Sequence, residues 1–287
     1  MFSKKSVSHF SPGYRLILFG IGFLVLLAIL VGMAEYYLQK TEVSVPPAGT
    51  PLQETGKMSA SKNDFWWLNS GGVVYIDGNV ISTIQGNLAK GSKWQKTYAK
   101  SNPRDTENGY QPQNILRLVT RQKFQNETQR LYFKINKLNF SASKFRNESN
   151  GVLLFNRYQN GNNLYYTGLR VDGDAVIKKK INGTYYTMKE KNLWTNGRRY
   201  DRTNNPDVLP LDAWIGIKSE VRNAADGSVD IKFYVDKDNN GQWQLVLEAT
   251  DNGNKYGGAA IANTGYGGIR SDFMDVEFWD YGISELK

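Results

Sequence analysis

Apolar and polar residues alternate along most of the chain beyond about residue 63. Leu131, Phe133 and Ile135 alternate with Tyr132, Lys134 and Asn136, and Val229, Ile231, Phe233 and Val235 alternate with Asp230, Lys232, Tyr234 and Asp236. Ile215, Ile217 and Val221, and then Leu245, Leu247 and Ala249, repeat the pattern. A period of two puts successive side chains on opposite faces of a strand, and no long stretch carries apolar residues at helical spacing, so the region reads as nearly all β. Between the runs stand dipeptides that favour positive φ, among them Asp77-Gly78, Asn108-Gly109, Asn160-Gly161, Asn182-Gly183, Asp226-Gly227 and Asn240-Gly241. Strands joined by such turns predict an all-β, antiparallel two-sheet jelly-roll sandwich. No internal repeat is present, which argues against a propeller or a β-solenoid.

The N-terminal pattern is different. Residues 16–34 run without a charge, and about 20 apolar residues are what a helix needs to cross a bilayer. Lys4, Lys5 and Arg15 precede this run and Glu35 comes directly after it, so the positive-inside bias places the N-terminus in the cytoplasm and the rest outside. A cleaved signal peptide is the rival reading, because Gly32 and Ala34 are small; the apolar run is longer than the roughly 7 to 15 residues of a secretory core. The expected organisation is a cytoplasmic tail (1–15), a transmembrane α-helix (16–34), a Pro/Ser/Thr-rich linker (35–62) and one sandwich domain (63–287). The expected localisation is therefore the cell membrane, as a single-pass protein with an extracytoplasmic C-terminal domain.

Composition narrows the chemistry. The 287 residues include one histidine, His9, and no cysteine. The outer domain therefore lacks the groups for Ser-His-Asp or Cys-His catalysis, for thiolate or imidazole zinc sites and for disulfides. Catalysis there would rest on carboxylates, Tyr, Lys or Arg. The formal net charge is +9, with Lys and Arg interleaved with acids except at Lys178-Lys179-Lys180. That is no nucleic-acid footprint, and an acidic polysaccharide or an anionic lipid surface is the more natural partner.

The strand from Gly151-Val-Leu-Leu-Phe-Asn-Arg-Tyr, the hairpin from Asn163 to Tyr186, and the strands from Trp214 and Asp226 precede a closing Gly265-Tyr-Gly-Gly-Ile-Arg-Ser-Asp-Phe-Met-Asp-Val-Glu-Phe-Trp. In this order they resemble the concanavalin A-like lectin/glucanase superfamily, in particular its laminin-G-like branch, over roughly 114–287. The resemblance implies two curved antiparallel sheets, the concave one often holding a saccharide. Such domains serve as lectins, glycoside hydrolases, polysaccharide lyases or adhesive modules, and often carry one structural Ca²⁺ near the chain ends.

Several residues are candidates for chemistry. Hydrolysis of a glycosidic bond takes two carboxylates, and Asp275 and Glu277, two apart on one strand, share a face; a closing strand with solvated acids explains them equally. Lyase relatives use a groove histidine that this domain lacks. Asp236, Asp238 and Asn240 with Gly241 match the first half of a Ca²⁺ loop, but position 12 is Leu247, and a plain hairpin turn explains the same residues. A sugar groove needs a flat aromatic and fork-shaped donors. Tyr166 and Arg170 share a face opposite Tyr165, Leu169 and Val171, and by the same parity Arg157, Lys178 and Lys180 join them, with Arg117 and the loop residue Trp194 nearby. A solvated sheet face is the alternative. The expected function is a membrane-anchored, non-catalytic, lectin-like module binding a polysaccharide or cell-surface glycan, without nucleic acid and with no cofactor beyond a structural Ca²⁺. A membrane-tethered glycoside hydrolase or polysaccharide lyase, and an adhesive protein-interaction module, are the alternatives.

Overall fold

The computed structural model describes residues 46–286, together with Leu26, Leu27, Ile29 and Leu30, which are helical. The predicted tail, the rest of the predicted span 16–34 and the first part of the predicted linker lie outside the described residues. Among the described residues, no helix is long and apolar enough to cross a membrane. The chain divides into two compact units, Met1–Val43 and Ser44–Lys287, and every strand among the described residues belongs to the second.

Among the described residues, fifteen strands form two sheets. The strands are β1 (Thr50–Gln53), β2 (Trp66–Ser70), β3 (Val73–Asp77), β4 (Val80–Ser82), β5 (Ile115–Phe124), β6 (Glu127–Leu138), β7 (Gly151–Asn160) and β8 (Asn163–Arg170). They continue with β9 (Asp174–Ile181), β10 (Thr184–Asn192), β11 (Ile215–Asn223), β12 (Val229–Asp236), β13 (Gln244–Asp251), β14 (Gly265–Asp272) and β15 (Met274–Glu285). An eight-stranded sheet has the order β1-β3-β4-β15-β6-β11-β12-β13, and a seven-stranded sheet the order β10-β9-β8-β7-β14-β5-β2. All pairings are antiparallel. The chain crosses between sheets from β14 to β15 through Phe273, whose φ is +55°. This is the predicted two-sheet sandwich.

The core lies between the sheets. Leu118, Leu154, Tyr165, Leu169, Ile177 and Ile269 from the seven-stranded sheet meet Phe133, Ile135, Ile217, Ile231, Phe233, Val276 and Phe278 from the other, all fully buried. Burying each large apolar side chain stabilises the fold by about 1.5–3 kcal/mol, so this layer supplies the main driving force. A second, smaller cluster lies on the outer face of the seven-stranded sheet: Val119, Leu153, Phe155, Tyr158, Leu164, Tyr166 and Val176, with Met58, Trp67 and Tyr266 against it. That face is therefore covered by side chains and loops.

Two sequence expectations are corrected. The segment read as a linker to residue 62 contains β1, paired with β3, whose Leu52 is buried. One apolar residue among Pro and Thr gives no alternation to read, and Pro51 is tolerated because β1 is an edge strand. The nearly all-β reading also missed helix α1 (Lys93–Ser101), whose one buried residue is Tyr98.

Candidate functional site

Alternation places Arg117 of β5, Leu153 of β7, Tyr166 of β8, Lys178 of β9 and Arg270 of β14 on the outer face of the seven-stranded sheet, opposite the core-facing Leu116, Leu154, Tyr165, Ile177 and Ile269. These five side chains floor a cleft of about 540 Å³. Its walls are the 145–150 segment between β6 and β7, Tyr185 of β10 and Asp105. The register brings the floor together: Arg270 lies directly between Arg117 and Leu153, and Tyr166 pairs with Lys178. Gly168, opposite Leu153, keeps the strands close, because a Cβ there would meet the Val152 carbonyl oxygen at 2.3 Å.

Charge in the cleft is organised around Arg270. Its Nε and Nη2 reach Asp272 Oδ1 at 3.0 and 2.9 Å, Nη1 donates to the Tyr185 hydroxyl at 3.2 Å, and the guanidinium stands 5.6 Å from the Tyr166 ring centroid. Burial opposes the Arg270 cation, but Asp272 and the two tyrosines outweigh it and hold its pKa well above the ordinary value. Tyr166 and Tyr185 have ring centroids 5.8 Å apart, tilted by 32°. Burial pushes the Tyr166 hydroxyl up. For Tyr185 burial also acts upward, but Arg270, the hydrogen bond from Tyr166 and Lys180 overcome it and bring the phenol down to about 8. Lys178 is lowered, first by burial and then by Arg170 and Arg270. Among the described residues, neither Arg117 nor Lys178 has an ion-pair or side-chain hydrogen-bond partner.

The structure thus brings Arg117, Tyr166 and Lys178 of the sequence candidates into one cleft. Lys180 stands beside it, donating to the Gly161 carbonyl at 2.8 Å with its ammonium 4.6 Å from the Tyr185 ring centroid. Arg170 is nearly buried behind the wall: it pairs with Asp172 and Glu190 and donates to the Glu148 carbonyl, so it props the 145–150 segment rather than opening onto the cleft.

Arg157 is not on the open face. A bulge interrupts the β7–β8 pairing after Asn156, Arg157 has φ +51°, and its side chain turns inward. There, with no exposed surface, it donates to the Ala262 and Asn263 carbonyls and to Asn223 Oδ1. Trp194 also lies away from the cleft, packed against the main core with the Lys237 ammonium over its ring at 4.3 Å.

Asp275 and Glu277 lie on β15 of the eight-stranded sheet and do not line the cleft. A bulge separates Asp275 from Val276. Buried Asp275 accepts from Gly86 N–H, Gln113 and Asn139, a structural role, and burial raises its pKa. Glu277 pairs with Lys134 at 2.8 Å. The Asp236 carboxylate accepts from the N–H groups of Asp238, Asn240 and Gly241 and from the Tyr132 hydroxyl, and Asn240 Oδ1 accepts from Gln242 N–H. Donors already take the Asp236 and Asn240 oxygens a cation would use, so these residues fit a capped turn better than a Ca²⁺ loop. Among the described residues, no three acidic, His or Cys side chains gather in a way that could hold a metal.

Sequence reasoning missed Arg270, Tyr185 and the 145–150 wall. Arg270 had a usable signal, since Ile269 next to it is core-like and parity turns Arg270 outward. The wall has no periodicity and gave none.

No protein-family model and no curated protein sequence matches the chain. Among solved structures, it is similar to the carbohydrate binding module CBM66 from Bacillus subtilis, at 11% identity over 77% of this chain and 95% of that one, with a TM-score of 0.47. It is also similar to the exoplasmic/lumenal domain of VIP36 in its Ca²⁺/Man-bound form, at 8% identity over 82% and 89% of the two chains, TM-score 0.39. A third is the GH43 protein BlXynB from Bacillus licheniformis, at 13% identity over 60% of this chain and 33% of that one, TM-score 0.35.

Proposed function

We propose that this protein is a carbohydrate-binding module that holds a glycan in the cleft on the outer face of the seven-stranded sheet and does not cleave it. The observation that carries the reading is the combination in one open cleft of the exposed Tyr185 ring, backed by buried Tyr166, with Arg117 and Lys178, two cations that make no ion pair or side-chain hydrogen bond among the described residues. Sugars present C–H faces that stack on aromatic rings and hydroxyls that take hydrogen bonds from such donors. The non-catalytic part is supported by the acids: Asp272 is held through Oδ1 by Arg270, Asp105 accepts from the Ser143 hydroxyl, Glu148 lies exposed at the rim, and Asp275 and Glu277 lie on the other sheet. The uncharged run 16–34 behind Lys4, Lys5 and Arg15 supports a membrane anchor that carries this domain on the outside.

A glycan array probed with the full-length chain, with product analysis of every glycan retained, tests both parts. Retention without shorter products is expected, and Tyr185→Ala should weaken it about tenfold or less while thermal unfolding stays unchanged. Shorter products would establish a hydrolase or lyase. Absence of retention on a broad array would overturn the carbohydrate reading in favour of a protein partner. Because the chain has no cysteine, Ser3→Cys and Asn240→Cys allow clean labelling with a membrane-impermeant maleimide: only Asn240→Cys should react in intact cells.

A further inference from the structure

The cleft does not end at Arg117. On the far side lies a second hollow of about 480 Å³, lined by Asn69, Ser70, Thr97, Ser101 and Asn102 among others. It shares Asp105, Ile115 and Arg117 with the first, so the two are lobes of one groove that meet at Arg117. Each lobe has the size of a pocket for a small molecule, about 300–1,000 Å³, and together they form a track.

The lobes differ in chemistry. The far lobe offers neutral amides and hydroxyls. Its Glu54 carboxylate is already engaged, with one oxygen accepting from the Tyr98 hydroxyl at 2.5 Å and from Gly72 N–H at 2.9 Å. The near lobe is charged, with Arg117, Lys178 and Arg270 set against Asp105, Glu148 and Asp272. Arg117 and Arg270 are directly opposed across the β5–β14 ladder, a like-charge pairing that sheets ordinarily avoid. Arg270 is neutralised by Asp272, whereas among the described residues Arg117 makes no ion pair or side-chain hydrogen bond and Lys178 feels Asp172 and Glu190 only at longer range. Glu148 is exposed at the rim, and Asp105 sits where the lobes join, holding Ser143. Three strands separate Arg117 from Lys178, so two negative groups of an extended ligand, one at each cation, would supply counter-charge that the sheet leaves out.

We propose that the ligand is an acidic polysaccharide chain that runs through both lobes, with anionic groups of separate sugars on Lys178 and on Arg117, four strand spacings apart in the sheet, and the next sugars among the hydroxyls and amides of the far lobe. This rests on the carbohydrate reading above and adds to it the charge of the ligand and its length. Carboxylate and sulfate share the required chemistry, and the experiment separates them.

The test measures binding of the full-length chain by calorimetry to two matched pairs: polygalacturonate against its carboxyl-reduced neutral form, and dextran sulfate against dextran. Oligogalacturonates of graded length complete the series. The expected result is at least tenfold tighter binding to the acidic member of one pair, affinity that rises from the monomer to the tetramer, and loss of affinity with added salt. Arg117→Ala and Lys178→Ala should each weaken acidic-chain binding by about ten- to a hundredfold, with Arg117→Lys recovering part, and weaken neutral-chain binding by less than the acidic chain's loss. The unfolding midpoint of each variant separates lost binding from lost fold. If neutral chains bind in the cleft as tightly as acidic ones, or a single sugar as tightly as the polymer, or a folded Arg117→Ala binds like the parent, this inference is wrong and the carbohydrate reading survives. If no glycan binds at all, the carbohydrate reading falls as well.

Discussion

Lys179 offers the sharpest test of how the sandwich is held together. It is the middle residue of the basic run at 178–180, and its side chain is wholly buried between the sheets, 2.7 Å from the equally buried Asp251. Its other hydrogen bonds go to the Gly258 and Ala259 carbonyls at 2.7 and 2.8 Å, so all three ammonium donors are used. Asp251 in turn accepts from the Tyr165 hydroxyl at 2.6 Å and from Gly253 N–H at 3.1 Å, and Tyr165 accepts from Ile261 N–H at 2.9 Å. One cluster thus fixes the connection between β13 and β14. Lys179→Met keeps an unbranched side chain of similar length and removes the charge, leaving the Asp251 carboxylate in the core with one cation fewer. Removing one partner of a buried pair costs about 3–5 kcal/mol. In a domain of this size each kcal/mol shifts the midpoint by about 2–4 °C, so thermal unfolding followed by circular dichroism should show a drop of about 6–20 °C. Lys179→Met combined with Asp251→Asn, which removes the orphaned charge but keeps an acceptor for Tyr165, should recover at least half of that loss. A drop of under about 2 °C in the single variant, or no recovery in the double, would show that the pair is not buried as described.

Four further outcomes are expected. Burial pushes Glu127 and Asp207 each up to about 8, so between the ordinary carboxylate range and pH 8 the folded state holds more protons than the unfolded one. Their contribution to stability is present in full below that ordinary range and is lost as pH rises through 8; urea midpoints should fall over this window, and Glu127→Gln should flatten the fall. Tyr185, at about 8, should give a phenolate absorbance transition near that pH that Tyr185→Phe abolishes, with acidic-glycan affinity declining over the same range as negative charge enters the cleft. Chelation of divalent cations should leave both midpoint and glycan binding unchanged, because Asp236 is saturated by protein donors; a fall of several degrees would show a metal. Asp275→Ala should destabilise by about 1–3 kcal/mol because it strips Gly86, Gln113 and Asn139 of their acceptor, whereas Glu277→Gln, which loses only a partly exposed pair with Lys134, should cost about 1 kcal/mol or less.

The sandwich was legible because period-two burial and turn chemistry agree locally. Between β9 and β10, Asn182 and Gly183 have φ of +49° and +83°, as a two-residue hairpin of this kind requires, and the flanking residues alternate as strands should. Legibility failed where an element buries a single side chain. Leu52 in β1 and Tyr98 in α1 are held by tertiary contacts, Leu52 in the main core and Tyr98 through its hydroxyl to Glu54 and the Gly71 N–H. No local pattern accompanies a lone anchor of that kind.

The site was legible only in part, for two physical reasons. Parity along a strand predicts a face only until a bulge: it turns Tyr166 and Lys178 outward as the structure does, but it also turns Arg157 outward, and one residue with φ +51° reverses the count and makes the same guanidinium a buried clamp on three backbone carbonyls. Parity is also silent about which strands become neighbours. Arg117 and Arg270 are separated by more than half the chain and become adjacent only because β5 and β14 pair. Their opposition, with one arginine matched to Asp272 and the other left unmatched, is a property of the assembled sheet. In the sequence Arg117 is one basic residue among many; its partner strand is what makes it the hinge between two lobes and the group on which an anionic ligand should depend.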